Sequence, residues 1–256
     1  MFSQAIVRKP GLNFVEGVTT AKLGPPILAK TLAQHEKYWR ALEECGLKVL
    51  LLEPDPRHPD STFVEDAAIV TPRGAILTRP GAESRRGEVA IIRPVLAGHF
   101  PALRAIEAPG TLDGGDICQV EDQFFIGISK RTNPAGAEQL SAWLLEMGYG
   151  ATPVDIRSTQ GILHLKSGLA YLGEGRLALD ERLAGRPEFS GFEVVPVQES
   201  EAYAANCVRV NDRVLMASGF PHFEAALRSL EYQVIPLDVS EFRKMDGGLS
   251  CLSLRF

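Results

Sequence analysis

Residues 25–46 read PPILAKTLAQHEKYWRALEECG, and residues 47–52 read LKVLLL. In the first stretch Ile27, Leu28, Leu32, Trp39 and Leu42 recur near helical spacing, Pro26 suits a first turn and Gly46 an end. The second is a short apolar run ahead of Pro54 and Pro56, which suits a buried strand better than another helix. The order is helix, then strand, and it returns. ESRRGEVAIIRPVLAGHF (83–100) precedes LRAIE (103–107), NPAGAEQLSAWLLEMG (133–148) precedes ATPVDI (151–156), and PHFEAALRSLEYQ (221–233) precedes VIPLDV (234–239). A shorter version, DERLAGRPEFSG (180–191), precedes FEVVPV (192–197).

Between these pairs lie four segments that read as hairpins with polar or glycine turns: AAIVTPRGAILTRP (67–80), DICQVEDQFFIGIS (116–129), GLAYLGEGRLALD (168–180) and NCVRVNDRVLMAS (206–218). The two chain ends supply the fifth, with CLSLRF (251–256) paired to SQAIVRKP (3–10). Repetition at a period of roughly 40–50 residues marks a repeat or propeller architecture, and pairing the ends removes an open sheet edge. The expected fold is an α/β chain forming one domain over residues 1–256, a fivefold pseudosymmetric αβ-propeller closed by its N- and C-terminal strands. A doubly wound sheet of βαβ units is the alternative, but it has no need of so many adjacent hairpins.

Composition narrows the function classes. With 45% hydrophobic and 23% charged residues in 256, the chain can bury roughly 70–75% of its unfolded surface. A net charge of −5, with Lys and Arg scattered, argues against nucleic acid as a partner. No apolar run approaches the roughly 20 residues of a membrane span, and MFSQAIVRKPG (1–11) lacks the apolar core of a signal peptide. A cytoplasmic protein with no membrane association is expected, and a homodimer is left open. Cys45, Cys118, Cys207 and Cys251 show neither a CxxC pair nor zinc-ligand spacing, so free thiols are expected.

In the ring, the loops that open successive units gather at one end. They are DSTFVED (60–66), APGTLDGGD (108–116), QGILHLKSG (160–168), ESEAYAANC (199–207) and MDGGLSC (245–251). Cys251 follows two glycines, which permit close approach to a ligand, although a free cysteine is commonly an inert buried thiol. His164 holds an equivalent place in another unit, or is a core histidine between Leu163 and Leu165. Asp113 and Asp116 could serve only turn amides. Asp60, Glu65 and Asp66 in one apolar loop would repel one another unless a cation joins them. A guanidinium suits such acids as a planar donor array, whereas no spacing favours a metal.

The motifs FVED (63–66), LTRPGAESRRGE (77–88), EAPGTLDGGD (107–116), SKRTN (129–133), LHLKSGLAYL (163–172), YAANC (203–207) and DGGLSCLSLRF (246–256) resemble those of the dimethylarginine dimethylaminohydrolase family, of bacterial type, within the guanidine-modifying superfamily of fivefold propellers. The resemblance covers essentially the whole chain. It implies hydrolysis of methylated arginines to citrulline and a methylamine, with no cofactor and no metal. It makes Cys251 the nucleophile that forms a covalent thiouronium, His164 the acid and base, and Asp113 the acid that supports His164. It assigns substrate contacts to Asp66, Asp60, Glu65, Arg85, Arg131, Val18, Met245 and Asp246. Asp113 stands where the nearest bacterial members carry Glu, and Val18 where they carry a lid leucine. Related arginine deiminases carry an acid where Lys166 stands, so the resemblance favours a methylated over an unmethylated guanidinium. A non-catalytic amino-acid-binding propeller and a zinc hydrolase are the rival readings.

Overall fold

The computed structural model describes residues 1–256, arranged as five three-stranded sheets. The first comprises β1 (Gln4–Arg8), β2 (Lys48–Leu52) and β15 (Leu254–Arg255), with α1 (Leu28–Glu44) as the crossover. The second holds β3 (Ala68–Thr71), β4 (Gly74–Leu77), α2 (Glu88–Ala97) and β5 (Leu103–Ala105); the third holds β6 (Ile117–Val120), β7 (Gln123–Ile128), α3 (Pro134–Glu146) and β8 (Gly150–Asp155). The fourth contains β9 (Leu169–Gly173), β10 (Arg176–Asp180) and β11 (Glu193–Val197). The fifth contains β12 (Val208–Val210), β13 (Arg213–Ala217), α4 (Pro221–Ser229) and β14 (Gln233–Leu237), and a single-turn helix α5 (Ser240–Arg243) follows.

Every sheet has one plan. An antiparallel hairpin comes first, and a third strand returns parallel to the hairpin's second strand, as in β3–β4–β5 and β6–β7–β8. The middle strand, packed on both sides, is buried along nearly its whole length, as the apolar runs of β4, β7, β10 and β13 require. The inner strands β3, β6, β9, β12 and β15 surround a central cavity of about 590 Å³, into which Ile69, Ile117, Leu169, Val208 and Leu254 project. No helix is long and apolar enough to cross a membrane.

The ends pair as the alternating terminal sequence suggests. β15 runs antiparallel to β1 with Ala5 opposite Arg255 and Ile6 opposite Leu254. The amides of Ser3 and Gln4 donate to the Phe256 carbonyl at 2.9 and 2.8 Å, and the Phe256 amide donates back to Gln4 at 3.0 Å. The terminal strand is shorter than expected, however. Ser250–Leu252 forms a 3-10 turn, so Cys251 precedes the strand rather than lying in it.

Other expectations need correction. Pro26 lies outside α1, which starts at Leu28 after Ile27. The inward face of α1 is Thr31, Gln34, His35, Tyr38, Ala41 and Leu42, not the stripe through Leu32, because α5 offers polar partners there: Gln34 bonds Ser240 Oγ at 2.9 Å and accepts from the Glu241 amide at 3.0 Å. The run LKVLLL is an outer strand with Leu50 41% exposed, paired on one side only. The crossover of the fourth unit is two short 3-10 turns, Glu181–Leu183 and Pro187–Phe189, since Gly185 and Pro187 interrupt any longer helix.

Ile6 and Leu254 are buried partners across the closing pair. Ile6→Ala and Leu254→Ala should each lower the unfolding free energy by about 2–5 kcal/mol in urea titrations. Since the two side chains belong to one contact, the double variant should lose less than the sum; strict additivity would contradict the pairing.

Candidate active site

Each of the five loops that precede an inner strand tightens into a 3-10 turn: Val64–Ala67, Gly114–Asp116, Leu165–Ser167, Glu199–Ala205 and Ser250–Leu252. Successive turns touch around the ring, so five short pieces distant in sequence share one end of the central axis. Gly114 and Gly115 allow this approach. A Cβ at 114 would collide with the Glu65 carbonyl, and one at 115 would lie 2.8 Å from His164 Nδ1 and 3.0 Å from Asp66 Oδ1.

His164 is buried beside Asp113, with Nε2 3.1 Å from Asp113 Oδ2. The other oxygen of Asp113 accepts from the Gly81 amide at 2.8 Å. Asp66 accepts from the Gly115 amide at 2.8 Å and from Arg85 Nη1 at 2.6 Å. Arg85 also grips Glu88 through Nε at 3.0 Å and Nη2 at 2.8 Å, and reaches the carbonyls of Asp60 and Phe63. Part of the cation that the crowded acids of DSTFVED require is therefore the protein's own Arg85.

Two small cavities meet at this point. One, of about 60 Å³, is bounded by Lys166, Tyr203, Asn206 and Ser250; the other, of about 30 Å³, by Val18, Asp60, Asp66, Arg85, Arg131 and Met245. Cys251, His164, Asp246 and Gly247 border both. Arg131 has no ion-pair or side-chain hydrogen-bond partner, unlike Arg85, and so offers a free guanidinium to this cavity.

One expected site residue, Glu65, faces elsewhere, and Lys166 turns with it. Glu65 does not line either cavity: its carboxylate takes Lys166 Nζ at 2.6 Å, Arg255 at 3.2 Å and the Ser250 hydroxyl at 2.8 Å, so it holds the turn that carries Cys251. Lys166 borders the larger of the two cavities, yet its ammonium is turned to Glu65. The carboxylate of Asp246 accepts from the Thr20 hydroxyl at 2.9 Å and so anchors the strap that carries Val18. That strap is also tied by the Val18 amide to Asp60 at 3.0 Å, by the Thr19 hydroxyl to the Lys244 carbonyl at 2.9 Å and by the Ile27 amide to Glu241 at 2.7 Å.

Electrostatics act differently on His164 and Cys251. Burial alone would lower the His164 pKa, but Asp116, the bond to Asp113 and the charge of Asp66 outweigh it and lift it to about 9. Burial pushes the Cys251 thiol up to about 12, with Asp66 and Glu65 adding to the rise and Lys166 opposing it. Asp66 is pushed up by burial yet held at about 2 by Arg85 and His164. The His164 and Cys251 shifts run the same way, toward keeping the proton on the imidazole and on the thiol. Asp66, Asp113 and His164 bring potential metal-ligand atoms within 4.8 Å of one another, but those atoms already pair with Arg85, with the amides of Gly115 and Gly81, and with each other.

Comparison with known proteins fits this arrangement. The arginine deiminase family model matches residues 27–173. The N(G),N(G)-dimethylarginine dimethylaminohydrolase of Pseudomonas aeruginosa is 48% identical over the whole of both chains. The chain belongs to the dimethylarginine dimethylaminohydrolase family. Solved structures of dimethylarginine dimethylaminohydrolase superpose over the whole of both chains with a TM-score of 0.97 and 47% identity, one as an adduct with S-methyl-L-thiocitrulline and one, from P. aeruginosa, complexed with citrulline. The fivefold propeller is therefore the fold of this family.

Sequence reasoning missed Glu88, whose only signal is its i+3 spacing from Arg85 on a first helical turn. It also set aside Asp116, which is fully buried. In the free protein, alkylation of Cys251 by iodoacetamide should be slow at pH 7 and climb about tenfold per pH unit without levelling off before pH 10, measured against Cys251→Ser. A plateau near pH 8 would mean that the resting site already holds a thiolate.

Proposed function

We propose that this protein hydrolyses Nω-methylated arginines, asymmetric dimethylarginine and monomethylarginine, to L-citrulline and dimethylamine or methylamine. The observation that carries the reading is the position of Cys251 and His164 at the junction of two cavities, one of which supplies a free Arg131 beside buried Asp60 and Asp66. That set matches a zwitterionic amino acid with a cationic side chain: Arg131 for the α-carboxylate, Asp60 on the amine side, Asp66 for the guanidinium.

The thiol needs a positive neighbour to ionise, and the bound guanidinium is that neighbour. Its proton leaves to solvent as substrate binds. The thiolate attacks the guanidinium carbon, and the carbon–nitrogen π pair moves onto nitrogen to give a tetrahedral adduct. His164, held at Nε2 by Asp113, passes the Nδ1 proton to the methylated nitrogen, and that carbon–nitrogen bond breaks to leave a thiouronium. The neutral imidazole then takes a proton from water, the oxygen adds to the same carbon, and the carbon–sulfur bond breaks to release thiolate and O-protonated citrulline, whose hydroxyl proton passes to solvent. Asp113 stabilises the imidazolium at both stages.

The cavity bounded by Lys166, Tyr203 and Asn206 favours methylated substrates. It holds one carboxylate, Asp246, whose Oδ2 is taken by Thr20, and a lysine with no second acid free beside it, which supports a methylated nitrogen there, since that nitrogen needs fewer acceptors than a bare NH₂. The four cysteines are free and buried, which fits a reducing, cytoplasmic setting. A small molecule is the proposed partner, and sedimentation would distinguish a monomer from a homodimer.

Citrulline formation should be faster from dimethylarginine and monomethylarginine than from arginine at equal concentration, and absent in Cys251→Ser. Preference for arginine would make the protein a deiminase, and binding without turnover a non-catalytic receptor. Arg131→Ala should raise KM by about 10- to 100-fold, the loss of one charged hydrogen-bonded contact, with kcat nearly unchanged.

A further inference from the structure

We propose that Asp116 is a positioning residue that fixes three parts of the substrate site at once, Asp113, His164 and the Arg131 backbone. This inference rests on the hydrolase reading only for its kinetic readouts. Asp116 is 0% exposed, and no cavity of the site reaches it. Its Oδ2 accepts from the hydroxyls of Ser129 and Thr132, each at 2.7 Å, and its Oδ1 accepts from the Leu165 amide at 3.0 Å.

Each bond leads to a site residue. The Thr132 hydroxyl, oriented by its donation to Asp116, accepts from the Asp113 amide at 3.1 Å, which sets the backbone from which Asp113 reaches His164. The Ser129 hydroxyl accepts in turn from the amides of Arg131 and Thr132, at 2.9 and 3.1 Å, and so shapes the turn that presents Arg131. The Leu165 amide follows His164 directly, so its bond to Asp116 fixes the turn Leu165–Ser167 that His164 enters. Asp116 also donates its own amide to the Asp113 carbonyl at 3.0 Å.

A carboxylate is needed here for two separable reasons. It alone accepts three bonds with no donor of its own, where an amide would set N–H against both hydroxyls or, flipped, against the Leu165 amide. It also places a negative charge near His164. The groups facing that imidazole are Asp113 and Asp116 from the third unit, Asp66 with Arg85 and Asp60 from the second, and Cys251 with Asp246 from the closing turn. Arg131 and Lys166 complete the surroundings.

The test separates geometry from charge with Asp116→Asn, Ser129→Ala and Thr132→Val, read by kcat, KM, the pH profile and NMR titration of His164, with melting curves confirming the fold. Thr132→Val keeps the charge and frees the Asp113 amide, so kcat should fall with the alkaline limb unmoved. Ser129→Ala loosens the Arg131 turn and should act mainly on KM. Asp116→Asn should do both, lower kcat by about 10²-fold, and move the His164 titration and the alkaline limb down by about one pH unit. Wild-type kcat, KM and pH profile in folded Asp116→Asn would overturn the proposal. If that variant does not fold, full activity in both hydroxyl variants would overturn it. The His164 titration is read without turnover, so a wild type inactive on methylarginines would sink the assigned reaction while leaving this role of Asp116 open to measurement.

Discussion

Carboxylates buried side by side are the constraint on which this molecule turns. Asp60, Asp66, Asp113 and Asp116 are all nearly or wholly removed from solvent at one end of a ring, where an ionised acid without partners costs several kcal/mol. Every one is answered. Arg85 joins Asp66 to Glu88, His164 faces Asp113, backbone amides of Gly81, Gly115 and Leu165 point at carboxylate oxygens, and two hydroxyls meet Asp116. Two of the 3-10 turns contribute directly, through the amides of Gly115 and Leu165. A tight turn leaves amides unclaimed by a helix or sheet, and those amides are the donors that acids require.

The same electrostatics divide labour between thiol and imidazole. Asp66 acts on both: it adds to the burial that raises the Cys251 pKa, and with Asp116 and Asp113 it overcomes the burial that would lower that of His164, so each proton is held more tightly. On the proposed reading, a cationic ligand between them favours the thiolate and leaves the imidazolium in place, so the reactivity of the buried thiol is coupled to occupancy of the site.

The repeating order of hairpin, helix and strand was legible because it rests on local rules: period, turn residues and length. So was the meeting of Cys251 with His164, which follows from equivalent positions in a repeat. What escaped the sequence was set by contacts between distant segments. Nothing in PPILAKTLAQHEKYWRALEECG tells that Gln34 and His35 face inward, because their partners lie on the single turn Ser240–Arg243. Glu65 and Asp66 are neighbours of identical charge, yet one faces Lys166 and Arg255 beneath the site and the other faces Arg85 within it. Along a 3-10 turn successive side chains point about 120° apart, and no composition rule distinguishes them. Asp116 looked like a turn former because its hydroxyl partners lie 13 and 16 residues downstream.

Ring closure by β1 and β15 also decides where one atom stands. Cys251 lies three residues before β15, on a turn held in place by Glu65, by Asn206 and by a strand whose sheet partner is β1. The sulfur therefore takes its address from the pairing of the two chain ends, Ile6 opposite Leu254, whereas Asp113 and His164 stand beside turns inside continuous units. One side of the site is built from neighbours in sequence and the other from the joint that shuts the ring.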